Sequence, residues 1–134
     1  MCGIVAFLNT NQEPGNINIV QAMSEKISHR GPDGKGHWAK DNIAFGHRRL
    51  SIIDLSDGGS QPMQTPDGRY TITYNGELYN FLDIKLELKA LGERFTSESD
   101  TEVVLRALSR WGLQRAVARF YGMFAFVCYD ALEH

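Results

Sequence analysis

The first apolar positions form a run, Ile4-Val5-Ala6-Phe7-Leu8, bounded on its far side by the polar stretch 9–15. A short apolar run stopped by polar and glycine residues predicts a buried strand. The period then changes. Ile19, Met23 and Ile27 recur every four residues, with Val20 beside Ile19. That spacing places side chains on one face of a helix, predicted over 18–28 and ended by Gly31 and Pro32.

Pro32-Asp33-Gly34 is a turn signal, and 36–39 and 43–46 are short strand candidates around Lys40-Asp41-Asn42. Leu50-Ser51-Ile52-Ile53 is a further apolar segment, 56–61 a glycine-rich loop, and Thr65-Pro66-Asp67-Gly68 a tight turn. Beyond it Tyr70, Ile72 and Tyr74 alternate with Thr71 and Thr73, the mark of a half-buried strand. Asn75-Gly76 would ordinarily turn a hairpin. No alternating strand follows, and Asn80 instead opens a helical pattern through Leu82, Leu86 and Leu88 to Gly92. The pair is therefore expected to end a strand that leads into a helix.

A short strand is predicted at 95–97. Ser99 or Asp100 caps a further helix with Val103, Val104, Ala107 and Leu108 on its apolar face and Gly112 as its stop. A last helical turn at 116–120 precedes a nearly continuous apolar strand at 123–129. Strands and helices mix without strict β-α-β alternation, which favours an α+β fold built on largely antiparallel sheet.

Composition narrows the partners. The 134 residues are 43% hydrophobic and 22% charged, with a formal net charge of −2. A chain of this size has room for one domain with a core. Neither the charge nor any basic run suits a nucleic acid or an anionic membrane, and no apolar run near the N-terminus is long enough for a span or signal segment. Cys2 and Cys128 make no disulfide framework, so a reducing, cytoplasmic setting is expected. His29, His37, His47 and His134 show no metal-ligand spacing, and no metal site is expected. Leu132-Glu133-His134 resembles a vector-derived remnant leading into a histidine tag. The native part is then 1–131, a domain cut short at its C-terminal side.

Cys2 sits directly behind the initiator methionine. Removal of Met1 would give one residue both a thiol and a free α-amine. An α-amine has an ordinary pKa of about 7.7–8.0 and can take the thiol's proton at neutral pH. Position alone also suits a buried, inert cysteine at the head of a core strand, and Cys128 reads as core. The Asn75 carboxamide and Gly76 N–H could face an oxyanion, although the dipeptide serves equally as a turn. Arg49, at the edge of an apolar segment, suits a carboxylate. Glu77 and Asp100 each fall beside a turn or cap, and two acids with an arginine could hold a zwitterionic amino acid, while Asp100 also suits a helix N-cap. The glycine-rich stretches 31–36 and 57–60 match no phosphate-binding motif and are read as loops.

Taken in order, Met1-Cys2-Gly3-Ile4, His29-Arg30-Gly31-Pro32-Asp33, Gly46-His47-Arg48-Arg49-Leu50-Ser51-Ile52, Gln61-Pro62-Met63, Tyr74-Asn75-Gly76-Glu77-Leu78-Tyr79-Asn80, Ser99-Asp100-Thr101-Glu102 and Gly122-Met123-Phe124-Ala125-Phe126 resemble the N-terminal glutaminase domain of asparagine synthetases, a class II glutamine amidotransferase. The resemblance implies an N-terminal-nucleophile hydrolase, a four-layer α/β/β/α sandwich of mainly antiparallel sheets. It implies Cys2 as nucleophile on the glutamine carboxamide, with Asn75 and Gly76 as the oxyanion hole. Arg49 would hold the substrate carboxylate, Asp100 and Glu77 its α-ammonium, and backbone groups of Leu50, Ser51, Ile52 and Ile53 would line the pocket. No cofactor is implied for this half-reaction; ATP and Mg belong to the absent C-terminal synthetase domain, the expected partner for the ammonia. The alternatives left open are a related amidotransferase with another ammonia acceptor and a glutamine-binding module without turnover. A sheet short of strands would expose an edge able to pair with a second copy as a homodimer.

Overall fold

Two three-stranded antiparallel sheets lie face to face in a computed structural model that describes residues 1–51 and 57–133. The first is built from β1 (Gly3–Leu8), β2 (Gly34–Lys40) and β3 (Ile43–Arg49), in the order β1-β3-β2. The second is built from β4 (Met63–Gln64), β5 (Tyr70–Leu78) and β6 (Gly122–Asp130), in the order β4-β5-β6. Helix α1 (Ile17–Lys26) covers the outer face of the first sheet. Helices α2 (Phe81–Ala90) and α3 (Asp100–Trp111) cover the second, with the short α4 (Leu113–Val117) against α3. The layers run α/β/β/α, the architecture implied by the resemblance.

The main core joins Ile72, Tyr74 and Leu78 of β5 to Ile84 and Leu88 of α2 and to Val103, Val104, Ala107 and Leu108 of α3. The apolar face predicted for α3 is thus the buried one. The Ser99 hydroxyl caps that helix by accepting from the Thr101 N–H, and Gly112 ends it with φ 77°. Because Ser99 caps, the Asp100 carboxylate is released from that duty.

Several expectations are corrected by packing. On α1 the buried side chains are Val20 and Ser24, both 0% exposed, while Met23 is 41% exposed. The helix turns this face inward because β3 presents Gly46 to it. A Cβ there would lie 2.3 Å from Ser24 Oγ and 2.7 Å from Val20 Cγ1. On α2 Leu82 and Leu86 are exposed, and Ile84, Lys85 and Leu88 face inward. Lys85 tolerates burial because its ammonium donates to Ser97 O at 3.1 Å and pairs with Glu98 at 2.8 Å. Over Thr71–Tyr74 the strand β5 is buried on both faces, since it is sandwiched there between the other sheet and α3. Its threonines are accommodated by hydroxyl bonds: Thr73 donates to Gly46 O at 3.3 Å, and Thr71 accepts from Gln64.

No strand forms at 95–97. The Glu102 carboxylate instead takes the Thr96 N–H at 3.0 Å and the Ser97 N–H and hydroxyl at 2.7 and 2.8 Å. Burial by itself would raise this carboxyl. The donors of Ser97 and Thr96, with Arg106 beside them, outweigh it and hold Glu102 below the usual carboxylate range. Replacing Glu102 with alanine is expected to cost roughly 1–3 kcal/mol of stability, read as a lower urea midpoint; an unchanged midpoint would show that the loop is held by other contacts.

Candidate active site

One cleft, of about 160 Å³, opens between the two sheets at the end where β1 begins and β3 finishes. Its volume suits a molecule of amino-acid size. Cys2, Arg49, Leu50, Ser51, Asn75, Gly76, Glu77 and Asp100 all line it. Ile52 and Ile53, also expected at the pocket, lie outside the described residues. The chain brings these positions together from four separate segments.

Alternation along the strands aims the side chains. β1 pairs with β3 so that Ile4 stands opposite His47. On β3, Gly46 and Arg48 face α1, the latter reaching Glu25 at 3.5 Å. His47 and Arg49 therefore face the other sheet, and so does Cys2, two residues before Ile4. The adjacent arginines thus point to opposite faces. The Arg49 guanidinium rests on Gly59: a Cβ there would lie 2.3 Å from Nη2. Cys2 is half-buried. Its Sγ accepts the Leu50 N–H at 3.3 Å and lies 3.6 Å from Leu50 O.

The His-Arg-Gly-Pro-Asp stretch fastens this corner. Arg30 Nε donates to Cys2 O at 3.1 Å, the Ser51 N–H donates to Asp33 Oδ2 at 2.8 Å, and the Asp33 N–H donates to Arg49 O at 3.0 Å. The segment carrying Arg49, Leu50 and Ser51 is held by these bonds against the head of β1.

Asn75-Gly76 does not end β5. The strand continues to Leu78, with Asn75 opposite Ala125 and Gly76 opposite Phe124 of β6. A turn is excluded because β6 runs alongside the whole length. The hydrogen-bonding phase of β5 then decides where the Gly76 N–H goes. Tyr70 O accepts from Thr65 and the Tyr79 N–H donates to Tyr121 O, so even residues address the β4 side and odd residues the β6 side. β4 pairs only with Thr71 and Ile72. Beyond it, the Tyr74 N–H is taken by Gln61 Oε1 at 2.6 Å and the Leu78 N–H by Asp100 Oδ2 at 3.1 Å. Gly76, between them, points its N–H along the same open edge, into the cleft. The Asn75 side chain shares the inter-sheet face with Thr73.

Asp100 is 5% exposed and accepts both the Leu78 N–H and the Tyr74 hydroxyl, the latter at 3.1 Å. Burial raises its carboxyl, against the opposing pull of those two donors. Burial, and then the Asp100 charge, push the Tyr74 hydroxyl well above its ordinary range. His47 is buried, and its Nε2 lies 3.1 Å from Tyr74 O. Desolvation lowers it to about 4, so the ring is neutral near pH 7. Cys128 lies away from the cleft on β6, where burial and then Asp130 push its thiol to about 12. It stays protonated and unreactive at neutral pH, as a core cysteine should.

Gln61, Tyr74, Thr101 and His47 carry polar bonds at or beneath the site without having been assigned a role from the sequence. Gln61 spans two elements, accepting from Tyr74 and donating to the Thr101 hydroxyl at 3.1 Å. No periodicity announces such residues; the signal was their place inside the stretches that carry the family resemblance.

An α/β/β/α sandwich whose first strand directly follows a cysteine that faces an inter-sheet cleft has the architecture of the N-terminal-nucleophile amidotransferases. The solved structure of glutamine phosphoribosylpyrophosphate amidotransferase from B. subtilis matches it with a TM-score of 0.80 at 20% identity, over 96% of this chain and 35% of that one. A glutamine amidotransferase domain model matches residues 1–134, and the chain belongs to that family. Asparagine synthetase [glutamine-hydrolyzing] 1 of Bacillus subtilis is 40% identical over all of this chain and 21% of its own length. Amidase chry2 of Gibberella zeae is 37% identical over 97% of this chain and again 21% of its own length. The chain therefore spans about a fifth of these relatives.

Proposed function

We propose that this chain is the glutamine-hydrolysing part of an asparagine synthetase, releasing glutamate and passing on ammonia. The observation that carries this is the unpaired stretch of β5: the Gly76 N–H enters the same cleft as Cys2, flanked by N–H groups that side chains have already taken. A donor placed there, with no partner among the described residues, is available to an oxyanion.

With Met1 removed, the Cys2 α-amine takes the proton of its own thiol. The thiolate attacks the side-chain amide carbon of glutamine, and the carbonyl oxygen becomes an oxyanion held by the Gly76 N–H and the Asn75 carboxamide. Collapse breaks the C–N bond. The amine returns the proton and ammonia leaves, giving a glutamyl thioester. Water then attacks the thioester and glutamate departs with the thiol restored. Arg49 binds the α-carboxylate, while Asp100 and Glu77 take the α-ammonium. An ammonium against the buried Asp100 favours its ionised form, opposing the desolvation that raises it. No step needs a metal or an organic cofactor. We propose further that the ammonia acceptor is activated outside this chain, by a synthetase domain using ATP and Mg.

The test is turnover by protein whose intact mass is lighter by one methionine. One glutamate and one ammonia per glutamine are expected, without ATP and undiminished by EDTA. Glutamine binding without glutamate release from the trimmed protein would replace the enzyme with a binding module.

A further inference from the structure

Tyr74 offers both of its backbone groups to the open edge of β5, and both are taken by side chains. Gln61 Oε1 accepts the N–H and His47 Nε2 meets the carbonyl. Four residues on, Asp100 takes the Leu78 N–H. A bare strand edge recruits another strand. Here three side chains from a loop, β3 and α3 stand where that strand would lie, leaving a gap one residue wide at Gly76.

Of the three, Gln61 and Asp100 line the cleft and His47 does not. His47 is fully enclosed, and its second ring nitrogen, Nδ1, is buried with no hydrogen-bond partner among the described residues. An orphaned ring nitrogen is a cost that an apolar side chain would avoid. The ring is neutral, and the proton that donates to a carbonyl sits on Nε2. Tyr74 C=O is half of the peptide group that continues into Asn75, so its direction sets the start of the Asn75-Gly76 segment.

We infer that His47 is a positioning residue for glutamine hydrolysis: its Nε2–H holds the Tyr74 carbonyl and thereby aims the Asn75-Gly76 donors at the oxyanion. This rests on the function proposed above. His47 touches no substrate, and the groups assigned to the amino-acid end of glutamine are bound from other elements. Its loss should fall on kcat and leave KM nearly alone.

The experiment compares His47→Gln, which keeps an amide N–H near the Nε2 position, with His47→Met, similar in length but without a donor. Both are measured in Met1-free protein by steady-state glutamate release, with thermal melting to establish folding. His47→Met is expected to lower kcat roughly 10- to 100-fold with KM changed by less than about threefold. His47→Gln should stay within about threefold of the unsubstituted kcat. Full kcat in His47→Met overturns this inference alone. So does an equal loss in both variants accompanied by equal drops in melting temperature, which marks a purely structural histidine. If His47→Met fails to melt cooperatively, His47→Gln decides: a folded variant with near-normal kcat supports the inference, and one more than about tenfold slower refutes it. No glutamate release from the unsubstituted protein would remove the functional reading and this inference with it.

Discussion

A Cys2→Ala protein is expected to release glutamate at least about a thousandfold more slowly than the unsubstituted chain, while still binding glutamine. Alanine removes the only thiol in the cleft among the described residues; Cys128 lies elsewhere with its thiol held protonated. The proposed contacts to the amino-acid end of glutamine come from Arg49, Asp100 and Glu77 and are untouched. The fold should survive, because among the described residues Cys2 Sγ hydrogen-bonds only to the Leu50 backbone, at 3.3 and 3.6 Å. The same loss is expected in protein that keeps Met1, whose peptide bond ties up the α-amine that would serve as base. Met1 itself lines the cleft and would also stand in the way. Glutamate assays paired with intact mass and a binding isotherm check both outcomes. Undiminished release from Cys2→Ala would end the assignment of this residue as nucleophile.

Gly76→Ala is expected to damage both stability and chemistry. A Cβ at this position would lie 2.5 Å from Met123 O and from Phe124 Cβ, and 2.6 Å from Phe124 Cα. Real Cβ contacts are not that short, and two of the three atoms are backbone of the paired strand. β5 and β6 must part there, at a cost of about 3 kcal/mol. The displacement carries the Gly76 N–H with it, so kcat should fall on the order of a hundred- to a thousandfold. Urea unfolding and glutamine turnover read the two effects separately. A variant with the original midpoint and kcat would show that neither the close approach nor this N–H matters.

Much of this molecule was legible in the order of its residues. The apolar run behind Cys2 forms β1, the Thr-Pro-Asp-Gly turn joins β4 to β5, and the face of α3 is buried as its spacing predicts. These are local patterns with a local cause: a stripe of apolar side chains must leave water, and its period selects helix or strand. The ordered set Cys2, Arg49, Asn75, Gly76, Glu77 and Asp100 also sufficed to nominate a site, and the described cleft contains all six.

What failed to be legible depended on neighbours distant in sequence. The inward face of α1 was decided by a glycine on β3. Thr71 and Thr73 are buried because a second sheet covers what would otherwise be a solvent face. Asn75-Gly76 was expected to end its strand, and only β6, forty-odd residues on, shows that it lies in the strand's interior. Residue types at 75 and 76 are the same in either case. Whether that N–H is consumed by a neighbour or left facing Cys2 depends on the phase of the β5–β6 ladder and on side chains from Gln61, His47 and Asp100. The sequence by itself determined which groups could react. The tertiary structure decided which were left free to, because a backbone donor is available for chemistry only where the fold supplies it no partner.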